Sequence, residues 1–111
     1  MELDEEQAML RRQRRFLEEV ERDIRRVNRD TIHAVLAPLG RQRFIDLARV
    51  VARRRVEYLR LAIELSECGD DAQEAGSVLV RMPTARRNYV EAREAFAALE
   101  RAIERGYVDV E

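Results

Sequence analysis

The sequence predicts an all-α fold: an antiparallel helical bundle of three long helices plus one short helix, in a single domain over residues 1–111. Three observations carry that expectation. Apolar residues recur at three- and four-residue spacing through long stretches. The four Gly and two Pro are confined to a few junctions, leaving too few turn signals for a sheet. Charged residues make up 39% of the chain, enough to coat helix faces, while the 46% that is hydrophobic suffices for one core.

The first helix is predicted over 4–37. Asp4 with Gln7 forms a capping-box-like start, and Glu5 and Glu6 place carboxylates at the positive end of the helix dipole. Leu3, Leu10, Leu17 and Ile24 recur every seven residues, with Val20, Val27 and Ala34 at the partner spacing. Met9 and Phe16 widen this seam, while Glu6, Gln13 and Thr31 interrupt it in the manner of register or oligomer-state devices. A kink is expected at Asn28 to Thr31, and Pro38-Leu39-Gly40 ends the helix.

The second helix is predicted over 41–68, closed by a left-handed Gly69. Phe44, Leu47, Val51, Tyr58, Ala62 and Leu65 form one apolar face; Ile45, Ala48, Ala52, Val56, Leu59 and Ile63 form another beside it. So broad an arc needs two neighbours, which makes this the central helix. A short helix is expected over 71–80, opened by Asp70 and Gln73 and closed before Pro83. Thr84 then caps a last helix over 84–105, where Tyr89, Ala92, Phe96, Leu99 and Ile103 keep the three-four spacing up to Gly106.

Composition removes several chemistries. All 21 strongly basic residues are arginine, so no lysine nucleophile, Schiff base or P-loop lysine exists. The small all-helical chorismate mutases, of comparable length, hold a dicarboxylate with a lysine as well as arginines, and Arg11, Arg54 and Arg55 alone do not reproduce that set. With one Cys and one His there is neither an intramolecular disulfide nor a zinc cluster. Asp30-Thr31-Ile32-His33 is a single near-match to the Glu-x-x-His repeat that di-iron bundles need twice. Cys68, at a helix C-terminus, reads as a small apolar residue. The expectation is therefore no catalytic residues, no metal and no cofactor. The acidic start Met1-Glu2-Leu3-Asp4 is unlike a signal peptide, and the longest uncharged run, 31–40, is too short to span a bilayer, giving an expected cytoplasmic location without membrane association.

Charge is segregated. Net charge is −4 over 1–10, +3 over 11–30, +5 over 31–60 and −5 over 61–80. Surface pairs such as Glu18 with Arg22 and Glu21 with Arg25 are expected at helical i,i+4 spacing. The leading functional expectation is a non-enzymatic helical protein–protein interaction module, an adaptor, chaperone or regulatory subunit. It is expected to form a homo-oligomer, with a dimer favoured, and to meet an acidic protein partner through its basic pole. Phe16, Val20, Ile24, Phe44, Val51 and Tyr58 are the candidate interaction surface, against the alternative that each simply packs inside. The alternative function is nucleic-acid binding by the arginine-rich face of the first two helices: the stripe Arg11, Arg15, Arg22, Arg26 and Arg29, which lies opposite the apolar seam but without an interleaved aromatic, and the Arg41 to Arg55 region. A third reading places a small anion or carboxylate at Arg54 and Arg55, which fall inside the apolar arc, against the alternative that Arg55 pairs structurally with Asp23.

Overall fold

The computed structural model describes residues 2–111 and is all-helical, with three helices: α1 (Glu2–His33), α2 (Arg41–Glu67) and α3 (Ala72–Glu104). The expected bundle does not form. Its Cα radius of gyration is 23.6 Å and its extents are 77 × 41 × 17 Å, whereas a compact chain of this length has a radius near 13 Å. The reason is α1: α2 and α3 pack on each other, and α1 packs on neither.

The α2–α3 hairpin follows from two matched heptad seams. Along α2, Phe44, Leu47, Val51, Tyr58, Leu61, Leu65 and Cys68 step by three and four residues except across Arg54 and Arg55, where Val51 to Tyr58 is one full heptad; along α3, Ala75, Val78, Met82, Ala85, Tyr89, Ala92, Phe96, Leu99 and Ile103 alternate by three and four throughout. Leu61, Cys68, Val78 and Ala85 form the buried cluster, with Tyr58, Leu65, Ala75 and Met82 against it. Farther along, Phe44 meets Phe96 at 4.7 Å between ring centroids and Tyr58 meets Tyr89 at 6.3 Å. Gly69 at φ 57° takes the left-handed conformation that ends α2. Asp71, rather than the expected Asp70, caps α3, its carboxylate accepting from the backbone N–H groups of Gln73 and Glu74 at 3.1 and 3.0 Å.

Two boundaries differ from expectation. The predicted short helix over 71–80 and the last helix over 84–105 are one continuous α3, with Pro83 inside it and Thr84 in mid-helix rather than at a cap. Proline removes one backbone hydrogen bond, but the seam from Ala75 through Met82 to Tyr89 runs unbroken past it and Pro83 sits on the exposed side. The first helix passes without interruption through Asn28 to Thr31 and stops at His33, four residues earlier than expected. Ala37 precedes Pro38 and is steered away from helical backbone. The last amides tighten, Val35 N–H donating to the Ile32 carbonyl at 3.0 Å.

The C-terminal tail fixes this junction. Leu39 pairs in parallel with Val110: its N–H donates to the Asp109 carbonyl at 2.8 Å, and Glu111 N–H donates to the Leu39 carbonyl at 3.0 Å. Val108 is buried beneath this contact. Asp109 receives His33 Nε2 at 3.2 Å and Arg29 at 3.7 Å. The tail thus holds the end of α1 to the α1–α2 junction, and α1 projects away from its own hairpin.

Candidate interaction surface

The α1 seam lies open along its length. Leu3, Leu10, Phe16, Leu17, Ile24 and Val27 are all exposed, Leu17 to 64%, and no residue of the helix is buried. Met9, Arg12, Gln13, Phe16 and Leu17 line a shallow apolar depression of about 400 Å³ on this helix. A helix with a wide apolar stripe gains its stability chiefly from covering that stripe. Here nothing among the described residues does so.

The six residues predicted as an interaction surface separate into two groups. Phe16 and Ile24 are exposed on α1, with Val20 half-buried between them. Phe44, Val51 and Tyr58 instead belong to the hairpin interior: Val51 is buried, and the two aromatic rings are occupied by Phe96 and Tyr89. These three are packing residues and offer no free docking face. The expectation that α2 is covered by two neighbours is also corrected. Its second apolar face, with Ile45, Val56, Leu59 and Ile63, is exposed because α1 does not return to it.

Arg54 and Arg55 are exposed rather than held inside an apolar arc. Arg54 pairs with Glu57 at 3.1 Å. The predicted Asp23–Arg55 pair does not form, since α1 and α2 are not in contact. Arg55 Nε donates to the Tyr89 hydroxyl at 3.3 Å. Its guanidinium lies 5.4 Å from the Tyr89 ring centroid and that of Arg93 lies 5.2 Å away, so two cations flank one phenol. Hydrogen bonds from Arg55 and Arg93 hold the Tyr89 hydroxyl below the ordinary phenol pKa. Tyr89 was legible only as a core position; its partners come from turning α3 back along α2.

Of the arginine stripe, Arg11, Arg15, Arg22 and Arg26 are exposed and make no ion pair among the described residues, while Arg29 is drawn to Asp109. Glu21–Arg25 forms as expected at 3.1 Å, and Glu18 and Arg22 remain unpaired with each other. Cys68 is buried and its thiol donates to the Glu64 carbonyl at 3.2 Å. Burial, and then the nearby Glu74, Asp71, Glu64 and Glu67 carboxylates, push this thiol above its ordinary pKa, opposite to what a nucleophile needs. Among the described residues no group of three or more His, Cys, Asp and Glu side chains converges to hold a metal ion. No helix among them is long and apolar enough to cross a membrane.

A groove of about 880 Å³ lies where the α1–α2 junction and the tail meet the hairpin, lined by Val35, Leu36, Leu39, Leu47, Leu99 and Val108. It was not foreseen from sequence, because the tail strand that closes one side is too short to leave a pattern. In comparisons with known proteins, no family model, no curated protein and no solved structure matches the chain.

Proposed function

We propose that this chain is a non-enzymatic helical interaction module that self-associates, with α1 as its docking arm and the α2–α3 hairpin as the body that carries it. The observation that supports this reading is the 32-residue α1, whose apolar seam is exposed while no helix of the same chain packs on it. Covering such a seam requires another helix at seven-residue register, which is helix-on-helix docking. The basic stretch 11–30, net +3, flanks the seam and favours acidic surfaces during encounter.

The test is sedimentation of the full chain, wild type against Leu17→Glu, with urea unfolding of each in parallel. The expected result is association in the wild type that Leu17→Glu abolishes, with the unfolding midpoint of the hairpin unchanged. A lowered hairpin midpoint at low concentration means that α1 folds back on its own chain, and the docking-arm reading fails.

Nucleic-acid binding is the second reading, favoured by the exposed and unpaired Arg11, Arg15, Arg22 and Arg26. It requires binding to an oligonucleotide that falls steeply with salt. Absence of binding at low salt removes it.

A further inference from the structure

We propose that the α1 seam is covered by α1 of a second copy of this chain, the two helices running antiparallel with Leu17 facing the partner's Val20 and Leu10 facing the partner's Val27. This rests on the reading of α1 as a docking arm and names its occupant, direction and register.

The argument comes from the rows beside the seam. With Leu3, Leu10, Leu17 and Ile24 as one core row and Glu6, Gln13, Val20 and Val27 as the other, one flank carries Gln7, Arg14, Glu21 and Asn28. This flank holds one cation and one anion, a heptad apart. In an antiparallel pair it faces the same flank of the partner. The stated register sets Arg14 against the partner's Glu21 and, by two-fold symmetry, Glu21 against the partner's Arg14. Sliding by one heptad in one direction sets Arg14 against its own copy; sliding in the other sets Glu21 against its own copy. Only one register therefore replaces repulsion by attraction, and it also overlaps the two helices over nearly their whole length.

The opposite flank, Met9, Phe16, Asp23 and Asp30, brings Phe16 to the partner's Asp23 and Met9 to the partner's Asp30, so no like charges meet there either. Within the seam, Glu6 falls beside the partner's Thr31, a hydroxyl able to donate to the carboxylate. Parallel pairing does the reverse: Glu6 faces Glu6 inside the seam, the acidic stretches 2–6 lie side by side, and Arg14 is set against a methionine. In this structure α1 packs on neither α2 nor α3, and antiparallel pairing places the two hairpins at opposite ends of the arm. Leu3 then arrives beside the partner's Ala34, at the junction where Val35 and Leu36 are exposed.

The test places one spin label per chain, in a Cys68→Ser background, at Glu5→Cys or Glu19→Cys, and reads label-to-label distance together with sedimentation. Glu5 and Glu19 occupy the same heptad position, so their lateral geometry is equal. In the antiparallel register the two Glu19 labels are offset along the axis by about 2 Å and the two Glu5 labels by about 40 Å. A short distance at Glu19 with a long one at Glu5 supports the proposal; equal short distances mean a parallel dimer and overturn it. A chain that remains monomeric also overturns it and removes self-association from the proposed function; if the hairpin midpoint then ignores Leu17→Glu, α1 survives as a docking arm with a different occupant. A dimer that Leu17→Glu leaves intact overturns both. As a second measurement, Arg14→Glu should weaken the dimer about five- to tenfold, and Arg14→Glu with Glu21→Arg should restore it. Failure of the double exchange to restore association overturns the register.

Discussion

Truncating Leu61 and Leu17 separately to alanine distinguishes an open arm from a folded bundle, because the two leucines are chemically identical and differ only in what covers them. Leu61 is 9% exposed and packs in the hairpin cluster with Val78 and Ala85; Leu17 is 64% exposed on α1. Burying a leucine side chain is worth about 1.5–3 kcal/mol, and Leu61 realises nearly all of it. The cavity left behind adds to that, though a two-helix layer collapses more readily than a deep core, so Leu61→Ala should cost about 2–3 kcal/mol. Leu17 has only about a third of its surface covered, which limits its loss to roughly 1 kcal/mol, confined to α1.

The assay is urea unfolding followed by far-ultraviolet circular dichroism, at a chain concentration below any self-association. With a denaturant slope of about 1–3 kcal/mol per molar, Leu61→Ala should lower the hairpin midpoint by about 0.7–3 M and Leu17→Ala should leave it in place. Equal shifts for the two variants at low concentration would refute the reasoning, since they require α1 to pack on the hairpin of its own chain.

Three further outcomes are expected. Pro83→Ala restores a backbone donor inside α3 and should raise the hairpin's stability by roughly 1–3 kcal/mol in the same unfolding assay; a loss would show that the proline is needed for the fit of α3 on α2. Asp71→Ala removes the acceptor for the Gln73 and Glu74 amides and should cost about 1 kcal/mol, with faster amide exchange confined to the first turn of α3. Tyr89 titrates below the ordinary phenol value, so between its native and unfolded pKa values the unfolded chain holds a proton that the native one has lost. Its contribution to stability should therefore grow as pH rises through that window, while the raised Cys68 thiol acts oppositely as pH climbs. Unfolding of wild type and Tyr89→Phe across about pH 8–11 isolates the tyrosine part, and identical pH profiles would show that Arg55 and Arg93 do not hold its hydroxyl in solution.

The helical class, the α2 boundaries at Arg41 and Gly69, and the apolar seams were legible in residue order, because each rests on spacing, glycine or proline within a few residues. Residue order also held the clue that α3 is continuous: Ala75, Val78, Met82, Ala85 and Tyr89 keep register across Pro83, and a seam packed along its length outweighs one missing amide.

Which seams meet was not legible in residue order. An apolar stripe records that a helix needs a neighbour and not which one, so α1 and α3 were equally able to cover α2 on paper. The choice lies in contacts distant in sequence. Leu39 with Val110, and Asp109 with Arg29 and His33, tie the tail to the end of α1, while α1 itself packs on neither α2 nor α3. Turning α3 back along α2 brings Tyr89 between Arg55 and Arg93, occupies Phe44, Val51 and Tyr58, and leaves Phe16, Leu17 and Ile24 open.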